Sequence, residues 1–472
     1  MPMQSSIDTD VAIIGAGTAG LAAYRAVKLA GKRALLIEGG EHGTTCARVG
    51  CMPSKLLIAP AEAAHAVARF PAFGMEPVAV KVDGRAVMAR VRSERDRFTA
   101  FVTDDVATLP DTDKVRGRAR FVDDTTLEID DGLRVRAASV VIATGSSPQF
   151  PDAWRALGDR LATNEDIFEW RELPESVAVF GPGVVGLELG QSFHRLGVRV
   201  KVFGRGGGVG PLSHPALIDY ARKTFGQEFD LKTDAHASAA RDNDEVIVTY
   251  RTQDGTTRTE RFTYLIAATG RAPNVSKLGI EHTTLALDAR GVPLFDRTTL
   301  QCGGSSIFIA GDASNDSPVL HEAADEGRIA GGNAARFPTI NGGLRRALLS
   351  VVFSDPQICI VGGGYASARA AAPIIGEASF EDQGRARVML RNQGLLQVYA
   401  DATTGLFVGA EMIGPDAEHI GHLLAWALQM NLGIEAMLEM PFYHPVIEEG
   451  LRTALKDARS KLALNATARR AA

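Results

Sequence analysis

The sequence is poor in the features that mark several large classes of protein. It has only 4 cysteines in 472 residues, which excludes a disulfide-rich secreted scaffold. The net charge is −5 and neither half of the chain is strongly basic, so the cationic surface that nucleic-acid binding requires is missing. No uncharged apolar run reaches the roughly 18 residues of a membrane helix, and Met1 to Asp10 contain no lysine or arginine. We therefore expect a cytoplasmic protein that binds neither nucleic acid nor membrane.

The composition is otherwise that of a large folded protein. Hydrophobic residues make up 45% and charged residues 23% of the chain, which is typical of globular proteins, and the length predicts roughly three domains. Glycine is the residue in excess, with 49 copies. An excess of glycine indicates that the backbone approaches another group closely.

The first glycine-rich segment follows a short apolar run, Asp10 to Ile14, and reads Gly15-Ala16-Gly17-Thr18-Ala19-Gly20. A helix-spaced stretch and a second apolar run ending at Glu38 come next, and this order is typical of a βαβ unit that binds a dinucleotide. The glycines allow a pyrophosphate to approach the helix N-terminus, and Glu38 is placed to accept hydrogen bonds from ribose hydroxyls. We predict an adenine dinucleotide without a 2′-phosphate here.

A second segment repeats this pattern from Val177 and reads Gly181-Pro182-Gly183-Val184-Val185-Gly186. We predict a second dinucleotide site, with helix and strand following. Its second strand ends in Phe203-Gly204-Arg205, so the carboxylate of a NAD-type site is absent. Arg205 favours NADP, or it is an ordinary surface arginine beside flexible glycines, and both interpretations stay open.

Two cysteines, Cys46 and Cys51, lie between these segments with C-x4-C spacing. Half a metal site, two buried thiols and a redox disulfide all fit this spacing, but the absence of a second Cys/His pair disfavours metal, and we expect none. Pro53 is typical of a first helical turn, which places Cys51 at a positive helix end with Lys55 one turn later. Both effects favour a thiolate, as two-electron exchange between a disulfide and a flavin requires.

A histidine before a proline, His444, is most simply a loop residue, but Glu449 follows it closely. A hydrogen bond from the imidazole to Glu449 would fix one tautomer and raise its basicity, as deprotonation of a substrate thiol requires. The alternative for Glu449 is a solvated acid in the first turn of a helix.

The remaining chain shows further strand and helix patterns. Apolar strands ending in glycine turns are predicted at residues 139–143, 264–268 and 307–310, and a long solvated helix at 83–102. A separate α+β domain is predicted beyond residue 347, with antiparallel strands at 385–391, 395–400 and 406–413, helices at 417–431 and after Pro445, and a frayed tail at 463–472.

Together these residues resemble the class I flavoprotein disulfide reductases of the pyridine nucleotide-disulfide oxidoreductase family, most closely the dihydrolipoamide dehydrogenase branch. The resemblance spans nearly the whole chain. It rests on the two glycine segments and on, in order, Gly50-Cys51-Met52-Pro53-Ser54-Lys55, Ala143-Thr144-Gly145, Ala268-Thr269-Gly270-Arg271, Gly311-Asp312, His321-Glu322-Ala323, Ser354-Asp355-Pro356 and His444-Pro445.

The resemblance implies a role for each matching position. Cys46 would exchange with the substrate sulfur, and Cys51 would lie against the flavin as a charge-transfer thiolate, while Lys55 and Glu188 would pair near flavin N5. Asp312 would bind the ribityl chain. Further FAD contacts are implied for Gly15, Gly17, Gly20, Glu38, Thr45, Ala119, Thr144, Gly145 and Ser146. The nicotinamide cofactor would be held by Gly181, Gly183, Gly186 and Gly270. Arg205 is a further candidate contact from the residues alone, with the alternative given above.

The fold class implied is α/β, with two Rossmann-like dinucleotide-binding domains for FAD and NAD(P) and a C-terminal α+β dimerisation domain. The domains would be residues 1–150 with 272–346 for FAD, 151–271 for NAD(P), and 347–472 for the interface of a homodimer, in which His444 works with the disulfide of the other subunit. The activity implied is oxidation of dihydrolipoamide, or a related dithiol, to lipoamide through the redox disulfide and FAD to NAD, with a 2-oxo acid dehydrogenase complex as a partner.

Several positions depart from the family pattern. Thr44 replaces a usual Gly, Arg48 a usual Asn, Phe442 the first His of a His-x-His, and Gly204 the Glu that reads NAD. Two alternatives therefore stay open. One is an NADPH-dependent reductase of another disulfide or of a metal ion, and the other is a non-catalytic flavin-binding redox sensor.

Overall fold

The structure is a computed structural model that describes residues 6–130, 132–252 and 254–471. The chain forms two compact units. Unit 1 comprises Met1–Pro53, Val91–Gln149 and Arg271–Arg345. Unit 2 comprises Ser54–Arg90, Phe150–Gly270 and Arg346–Ala472. Each unit is therefore assembled from three separate stretches of sequence.

The strands, in chain order, are β1 (Ser6–Ile14), β2 (Ala34–Glu38), β3 (Lys114–Arg116), β4 (Ala119–Phe121), β5 (Thr126–Ile129), β6 (Leu133–Ile142), β7 (Ser146–Pro148), β8 (Leu161–Ala162), β9 (Ser176–Phe180), β10 (Arg199–Phe203), β11 (Asp230–Lys232), β12 (Ala237–Asp242), β13 (Glu245–Arg251), β14 (Thr257–Phe262), β15 (Tyr264–Ala267), β16 (Arg271–Pro273), β17 (Ile307–Ile309), β18 (Leu349–Val352), β19 (Gln357–Val361), β20 (Ile374–Ser379), β21 (Leu395–Ala400) and β22 (Phe407–Gly414).

The helices, in chain order, are α1 (Thr18–Leu29), α2 (Thr45–Val49), α3 (Cys51–Ala68), α4 (Gly84–Ala107), α5 (Val184–Arg195), α6 (Pro215–Glu228), α7 (Leu320–Arg336), α8 (Gly364–Ala368), α9 (Gly384–Val388), α10 (Ala417–Gln429), α11 (Ile434–Leu438) and α12 (Glu449–Ala471). In the described chain, none of these helices combines the length and the apolar composition needed to cross a bilayer.

Unit 1 is organised around one sheet with the strand order β3-β2-β1-β6-β5-β4, in which β17 also pairs with β6. Strands β3, β2, β1, β6 and β17 are parallel, whereas β4 and β5 are antiparallel additions. Successive residues of β1 enter different hydrophobic clusters, since Val11 and Ile13 lie in one and Ala12 and Ile14 in another. A strand covered on both faces explains the continuous apolar run in the sequence.

Unit 2 contains a parallel sheet and two antiparallel ones. The parallel sheet has the order β11-β10-β9-β15-β8, and a three-stranded sheet is formed by β12, β13 and β14. The last sheet has the order β18-β19-β22-β21-β20. Its core includes Phe380, Leu396, Met412 and Leu455, all of them fully buried. The predicted βαβ units are β1-α1-β2 in unit 1 and β9-α5-β10 in unit 2.

The strand predicted at residues 385–391 is wrong, because the structure has helix α9 there. The side chain of Gln383 accepts a hydrogen bond from Ala386 N and so caps the helix start. Ala386 is buried while Val388 is 65% exposed. The alternation of arginines with apolar residues mimicked a strand, but the capping interaction favours a helical turn.

The frayed tail predicted at residues 463–472 is also wrong as far as residue 471, since α12 continues to Ala471. Asn465 Nδ2 donates to Ala402 O at 3.0 Å, and Arg469 donates to Thr403 Oγ1 at 2.9 Å. These bonds to the β21–β22 turn hold the last part of the helix against the sheet. Ala472 lies outside the described residues.

Candidate functional site

The first glycine segment forms a tight turn between β1 and α1. A Cβ on Gly20 would lie 1.8 Å from Gly15 O, and one on Gly15 would lie 2.3 Å from Ala143 O, so only glycine fits at either position. At Gly17, by contrast, no atom lies within 4 Å of the Cβ position. Gly17 is the N-cap of α1 and offers no side-chain cap. The open side of this turn therefore presents unshielded backbone N–H groups, which favour an anion.

Glu38 at the end of β2 is held by the same turn. Its Oε2 accepts a hydrogen bond from Ala16 N at 2.7 Å, and its Oε1 accepts one from Gly40 N at 2.6 Å. Two backbone donors hold the carboxylate in one orientation beside the glycine turn. A carboxylate oxygen has two lone pairs, so each oxygen retains one for a further donor such as a hydroxyl group.

The turn after β6 carries Thr144, Gly145 and Ser146. Ser146 Oγ donates to Asp312 Oδ2 at 2.7 Å and accepts from Arg271 Nε at 2.8 Å. Thr144 Oγ1 is buried and has no hydrogen-bond partner within the described chain. The structure thus brings Ser146 and Asp312 together and leaves a buried hydroxyl beside them without a partner.

The other predicted contacts of this site lie at different positions in unit 1. Thr45 is the exposed first residue of α2. Ala119 is buried on β4, which is three places from β1 in the strand order. Neither residue is joined to the glycine turn by a hydrogen bond given in the structure, so their roles remain predictions.

The cysteine segment begins in a strained turn. Thr44 has φ 57° and ψ 149°, a region that is essentially reserved for glycine. Its side chain accepts a hydrogen bond from Ala47 N at 3.3 Å and caps α2, the short helix that carries Cys46. Arg48, another of the four departures named above, forms an ion pair with Glu41. Thr44 therefore combines a backbone conformation that favours glycine with a side chain that caps α2.

Cys51 is the first residue of α3, as predicted, and its side chain is exposed, whereas Cys46 is half-buried. The N-terminus of an 18-residue helix carries a partial positive charge that favours an anionic sulfur. The two other cysteines, Cys302 and Cys359, are fully buried, and burial raises the pKa of each thiol to about 12. Of the four cysteines, only the predicted pair therefore lies outside the buried core.

Lys55 lies one turn after Cys51 on α3, and the structure pairs it with Glu188 of α5. Lys55 Nζ donates to Glu188 Oε1 at 2.9 Å and to Oε2 at 2.8 Å. The ammonium group also lies 4.5 Å from the centre of the Phe353 ring, while Phe353 N donates to Glu188 Oε1 at 3.0 Å. Glu188 is 5% exposed, so this is a nearly buried ion pair with every partner on unit 2.

The second glycine segment, Gly181 to Gly186, repeats the geometry of the first. A Cβ on Gly186 would lie 1.8 Å from Gly181 O, and one on Gly181 would lie 2.2 Å from Ala268 O. Gly183 has open space around its Cβ position and caps α5, and Gly270 has φ 114° with open space as well. The predicted residues of this site lie at one end of the β10-β9-β15 sheet.

The two turns differ at the ribose end. Pro182 stands where the first turn has Ala16, so the N–H that Glu38 receives has no counterpart. A Cβ on Gly204 would lie 2.6 Å from Pro182 Cγ and 2.7 Å from Thr233 O, so the position of the missing carboxylate is filled. Asp234 Oδ1 accepts from Gly206 N instead. Arg205 is exposed, and no hydrogen bond or ion pair is found for it in the described chain.

His444 and Glu449 form the predicted pair. His444 Nδ1 lies 3.1 Å from both carboxylate oxygens of Glu449, and the histidine side chain is 80% exposed. The hydrogen bond to His444 holds the pKa of Glu449 below its usual value. Because a carboxylate only accepts, Nδ1 is the donor, and in the neutral form of the ring Nε2 carries the lone pair. This arrangement suits a general base.

Sequence reasoning missed Phe353, Glu326 and Arg345. Phe353 directly precedes the Ser354-Asp355-Pro356 motif, and this position is the one sequence feature that could have identified it as a site residue. Glu326 is completely buried on α7, and Arg345 NH2 lies 2.9 Å from its Oε1. The spacing of four residues between Glu322 and Glu326, which places both carboxylates on one face of α7, was the only sign of this cluster. The described residues contain no group of three or more His, Cys, Asp or Glu side chains that could hold a metal ion.

Family models match most of the chain. The model described as pyridine nucleotide-disulphide oxidoreductase matches residues 9–327. The model described as the dimerisation domain of pyridine nucleotide-disulphide oxidoreductases matches residues 348–455.

Similar proteins extend over the same length. A dihydrolipoyl dehydrogenase of Haloferax volcanii is 31% identical over 470 residues, which covers 95% of this chain and 96% of that protein. A mercuric reductase of Acidithiobacillus ferrooxidans is 30% identical, covering 94% of this chain and 81% of that protein. Among solved structures, LpdA from Mycobacterium tuberculosis is 24% identical with a TM-score of 0.79, covering 96% of this chain and 99% of its own. That likeness shows the fold.

Proposed function

The chain belongs to the pyridine nucleotide-disulphide oxidoreductase family, and we propose that it oxidises dihydrolipoamide, or a closely related dithiol, to the cyclic disulfide. In the balanced reaction the dithiol loses two electrons and two protons, NAD⁺ takes up a hydride, and one proton enters solvent. The observation that carries the proposal is the cysteine segment, in which Cys51 opens α3 one turn before the paired Lys55. The similarity to dihydrolipoyl dehydrogenases supports the choice of substrate.

The fold class predicted from the sequence is confirmed. The chain combines dinucleotide-binding domains of the FAD and NAD type with a C-terminal dimerisation domain. We propose residues 1–150 with 272–346 as the FAD domain, 151–271 as the NAD(P) domain and 347–472 as the interface domain. The beginning of the dimerisation-domain match at residue 348 supports the last boundary.

Proteins of this family use FAD and a pyridine nucleotide, and the residues of unit 1 fit FAD. The open backbone at Gly17 suits a pyrophosphate, and the lone pairs of Glu38 suit ribose hydroxyls. The buried Thr144 hydroxyl lacks a partner, which a bound group would supply. When bound, FAD supplies a ring system that accepts a hydride equivalent from a dithiol and donates one to a nicotinamide.

We propose that the chain's own residues perform the sulfur chemistry in two steps. His444 Nε2 takes the proton of the first substrate thiol, and the thiolate attacks Cys46 Sγ of a Cys46–Cys51 disulfide. The sulfur–sulfur bond of the protein breaks, and Cys51 leaves as a thiolate stabilised by the start of α3. His444 then releases this proton to solvent and takes the proton of the second substrate thiol. The second thiolate attacks the substrate sulfur of the mixed disulfide, so the substrate disulfide forms and Cys46 leaves as a thiolate. Glu449 stabilises the imidazolium that each deprotonation produces.

We propose that the active form is a homodimer in which His444 serves the disulfide of the second subunit. The match to a dimerisation domain supports this assembly. One face of α10 and of its C-cap residue is apolar and exposed, because Leu423, Trp426 and the C-cap Met430 are 43%, 67% and 70% accessible. Their spacing of three and four residues places them on one side of the helix, and a second copy of the chain would cover them. Lipoyl groups of a 2-oxo acid dehydrogenase complex are the proposed source of the dithiol.

A second candidate activity, reduction of another disulfide or of a metal ion by NADPH, is favoured by one observation. The second dinucleotide turn has Pro182 and Gly204 in place of an N–H donor and a carboxylate, and Arg205 is exposed beside them. A carboxylate would repel a 2′-phosphate, whereas an arginine attracts it. The similarity to mercuric reductases is in keeping with this alternative.

An anaerobic visible spectrum recorded during stepwise addition of NADH or dihydrolipoamide tests the primary proposal. We expect a flavin spectrum that develops a long-wavelength charge-transfer band on reduction. Cys51→Ser should keep the flavin but lose the band and the turnover, whereas the control Cys302→Ala should keep all three. A colourless protein, or turnover retained by Cys51→Ser, would contradict the proposal.

Steady-state rates with NADH and NADPH against lipoamide, glutathione disulfide and Hg(II) separate the two candidates. For the second candidate, Arg205→Ala should raise KM for NADPH and leave KM for NADH unchanged. Arg251→Ala, which removes an exposed arginine elsewhere in unit 2, is the matched control. Equal use of both nucleotides by the wild type and by Arg205→Ala would leave no role for Arg205 in nucleotide choice.

A further inference from the structure

Three carboxylates of unit 1 converge on one guanidinium group. Arg345 NH2 lies 2.8 Å from Glu322 Oε2, 2.9 Å from Glu326 Oε1 and 3.3 Å from Asp316 Oδ2. Glu322 and Glu326 belong to α7 and are 1% and 0% exposed. Two carboxylates buried this completely at one helix are costly unless they are paired and hydrogen-bonded, and the contacts of each carboxylate therefore matter.

The second oxygen of Glu326 points away from this cluster. Glu326 Oε2 accepts a hydrogen bond from Gly311 N at 2.7 Å and lies 3.5 Å from Ser314 Oγ. Both partners belong to the helical turn Gly311–Ser314, which begins with Gly311 at φ 70°. Glu326 Oε2 therefore contacts the first and the last residue of the turn.

The residue presented by this turn is Asp312. Its Oδ2 accepts from Ser146 Oγ, which in turn accepts from Arg271 Nε. These contacts restrain Asp312 from the side of the β6 turn, and Glu326 restrains the backbone that carries it. Helix α7 is itself fixed against α1, since a Cβ on Gly327 or Gly331 would lie 2.1 or 2.4 Å from a carbonyl oxygen of α1.

We propose that Glu326 is a positioning residue of the FAD site, which fixes the Gly311–Ser314 turn so that Asp312 presents its carboxylate to the ribityl chain. This inference rests on the proposed function, in that FAD is the bound group and Asp312 is one of its contacts. Arg345 acts one step further away, because it holds the carboxylate of Glu326 in place. Glu322 shares Arg345 but makes no bond to the turn, so it provides an internal comparison.

The charge of Glu326 is the property that matters for this role. Burial raises its pKa to about 7, although Arg345 and the Gly311 N–H oppose that shift and Asp316 and Glu322 add to it. The charged groups that act on it are Arg345, Asp316, which follows the turn, and Glu322 on α7. An ionised carboxylate accepts a stronger hydrogen bond from Gly311 N than a protonated one does. FAD should therefore be held more tightly above pH 7 than below it.

The test is the rate at which holoenzyme releases FAD on dilution, followed by the fluorescence of the free flavin at pH 6.5 and 8.5. We expect the wild type to release FAD several-fold faster at pH 6.5. Glu326→Gln should release FAD about tenfold faster than the wild type at pH 8.5, and its rate should not change with pH.

Two further variants keep the test decisive. Glu322→Gln removes an equally buried charge from the same helix and should release FAD at the wild-type rate. Arg345→Lys keeps the positive charge but loses the planar set of guanidinium donors. This variant should accelerate FAD release less than Glu326→Gln does, and its release rate should still depend on pH. Equal rates for Glu326→Gln, Glu322→Gln and the wild type would overturn the inference. A protein isolated without flavin would instead overturn the proposed function.

Discussion

The ammonium group of Lys55 lies 4.5 Å from the centre of the Phe353 ring, and the backbone N–H of the same phenylalanine donates to the glutamate that pairs with Lys55. Phe353 thus contacts both members of the Lys55–Glu188 pair, one through its ring and one through its main chain. Because the main-chain bond survives any side-chain substitution, replacement of Phe353 isolates the contribution of the ring.

We expect Phe353→Leu to lower the free energy of unfolding by about 1 kcal/mol, through loss of a cation–π contact and of aromatic surface. Phe353→Tyr should retain stability, because the ring face is unchanged. Urea denaturation of both variants measures the difference. Equal midpoints for Phe353→Leu and the wild type would show that the ring contributes nothing to this pair.

Thr44 offers a test of backbone strain beside the redox cysteines. Its φ of 57° with ψ of 149° costs about 1–3 kcal/mol for a residue other than glycine. Replacement of a capping threonine by glycine costs only a few tenths of a kcal/mol, whereas replacement by alanine costs about 1 kcal/mol. We expect Thr44→Gly to raise the thermal midpoint and Thr44→Ala to lower it. Similar decreases in both variants would show that Thr44 is unstrained.

Gly204 should resist conversion to the acidic residue of a NAD site. A side chain there would meet Pro182 and the carbonyl oxygen of Thr233. We expect Gly204→Glu to weaken binding of NADH and NADPH alike and to lower the thermal midpoint. Addition of Pro182→Ala should recover part of both losses, because it removes one obstacle and restores an N–H donor. Binding measured by nucleotide titration would contradict this account if the single variant gained affinity for NADH.

Glu449 should control the tautomer of His444. In Glu449→Gln the amide can present either an acceptor or a donor to Nδ1, so part of the population exposes a protonated Nε2. We expect kcat for dithiol oxidation to fall by about 10²-fold, in line with the contribution of a positioned base. Glu448→Gln, at the preceding position, is the control and should keep the wild-type kcat.

The same pair predicts a dependence of stability on pH. Because the pKa of Glu449 is lowered in the folded chain, its contribution is present above the unfolded value near 4.5 and is lost as pH falls through the folded value. The thermal midpoint of the wild type should exceed that of Glu449→Gln at pH 7, and the gap should close on acidification below pH 4.5. A gap that widened in acid would contradict the hydrogen bond to His444.

Much of unit 1 and of the parallel sheet in unit 2 was predictable because glycine turns and covered apolar strands leave a strong local pattern. The pairing of His444 with Glu449 was also predictable, since both residues lie within one six-residue segment. Helix α9 was not, because the cap from Gln383 looks like any polar residue in the sequence. The binding roles of the individual cofactor contacts remain predictions.

Contacts between distant parts of the chain were the least accessible. Phe353 contacts Lys55 and Glu188, which lie 298 and 165 positions earlier in the sequence. Hydrophobic periodicity cannot predict contacts between residues so far apart. Glu326 and Arg345 are 19 residues apart, and their burial shows only in the folded chain. The local sequence pattern predicts helices and strands, whereas the position of a buried charge depends on how those helices and strands pack.

The contrast between the two glycine turns bears on how such a protein diverges. With alanine and glutamate in one turn and proline and glycine in the other, each pair is internally compatible, but a mixed pair is obstructed or unsatisfied. A lineage that changed one residue pair into the other would have to exchange both residues nearly together. Ancestral intermediates carrying only one of the replacements should therefore be scarce.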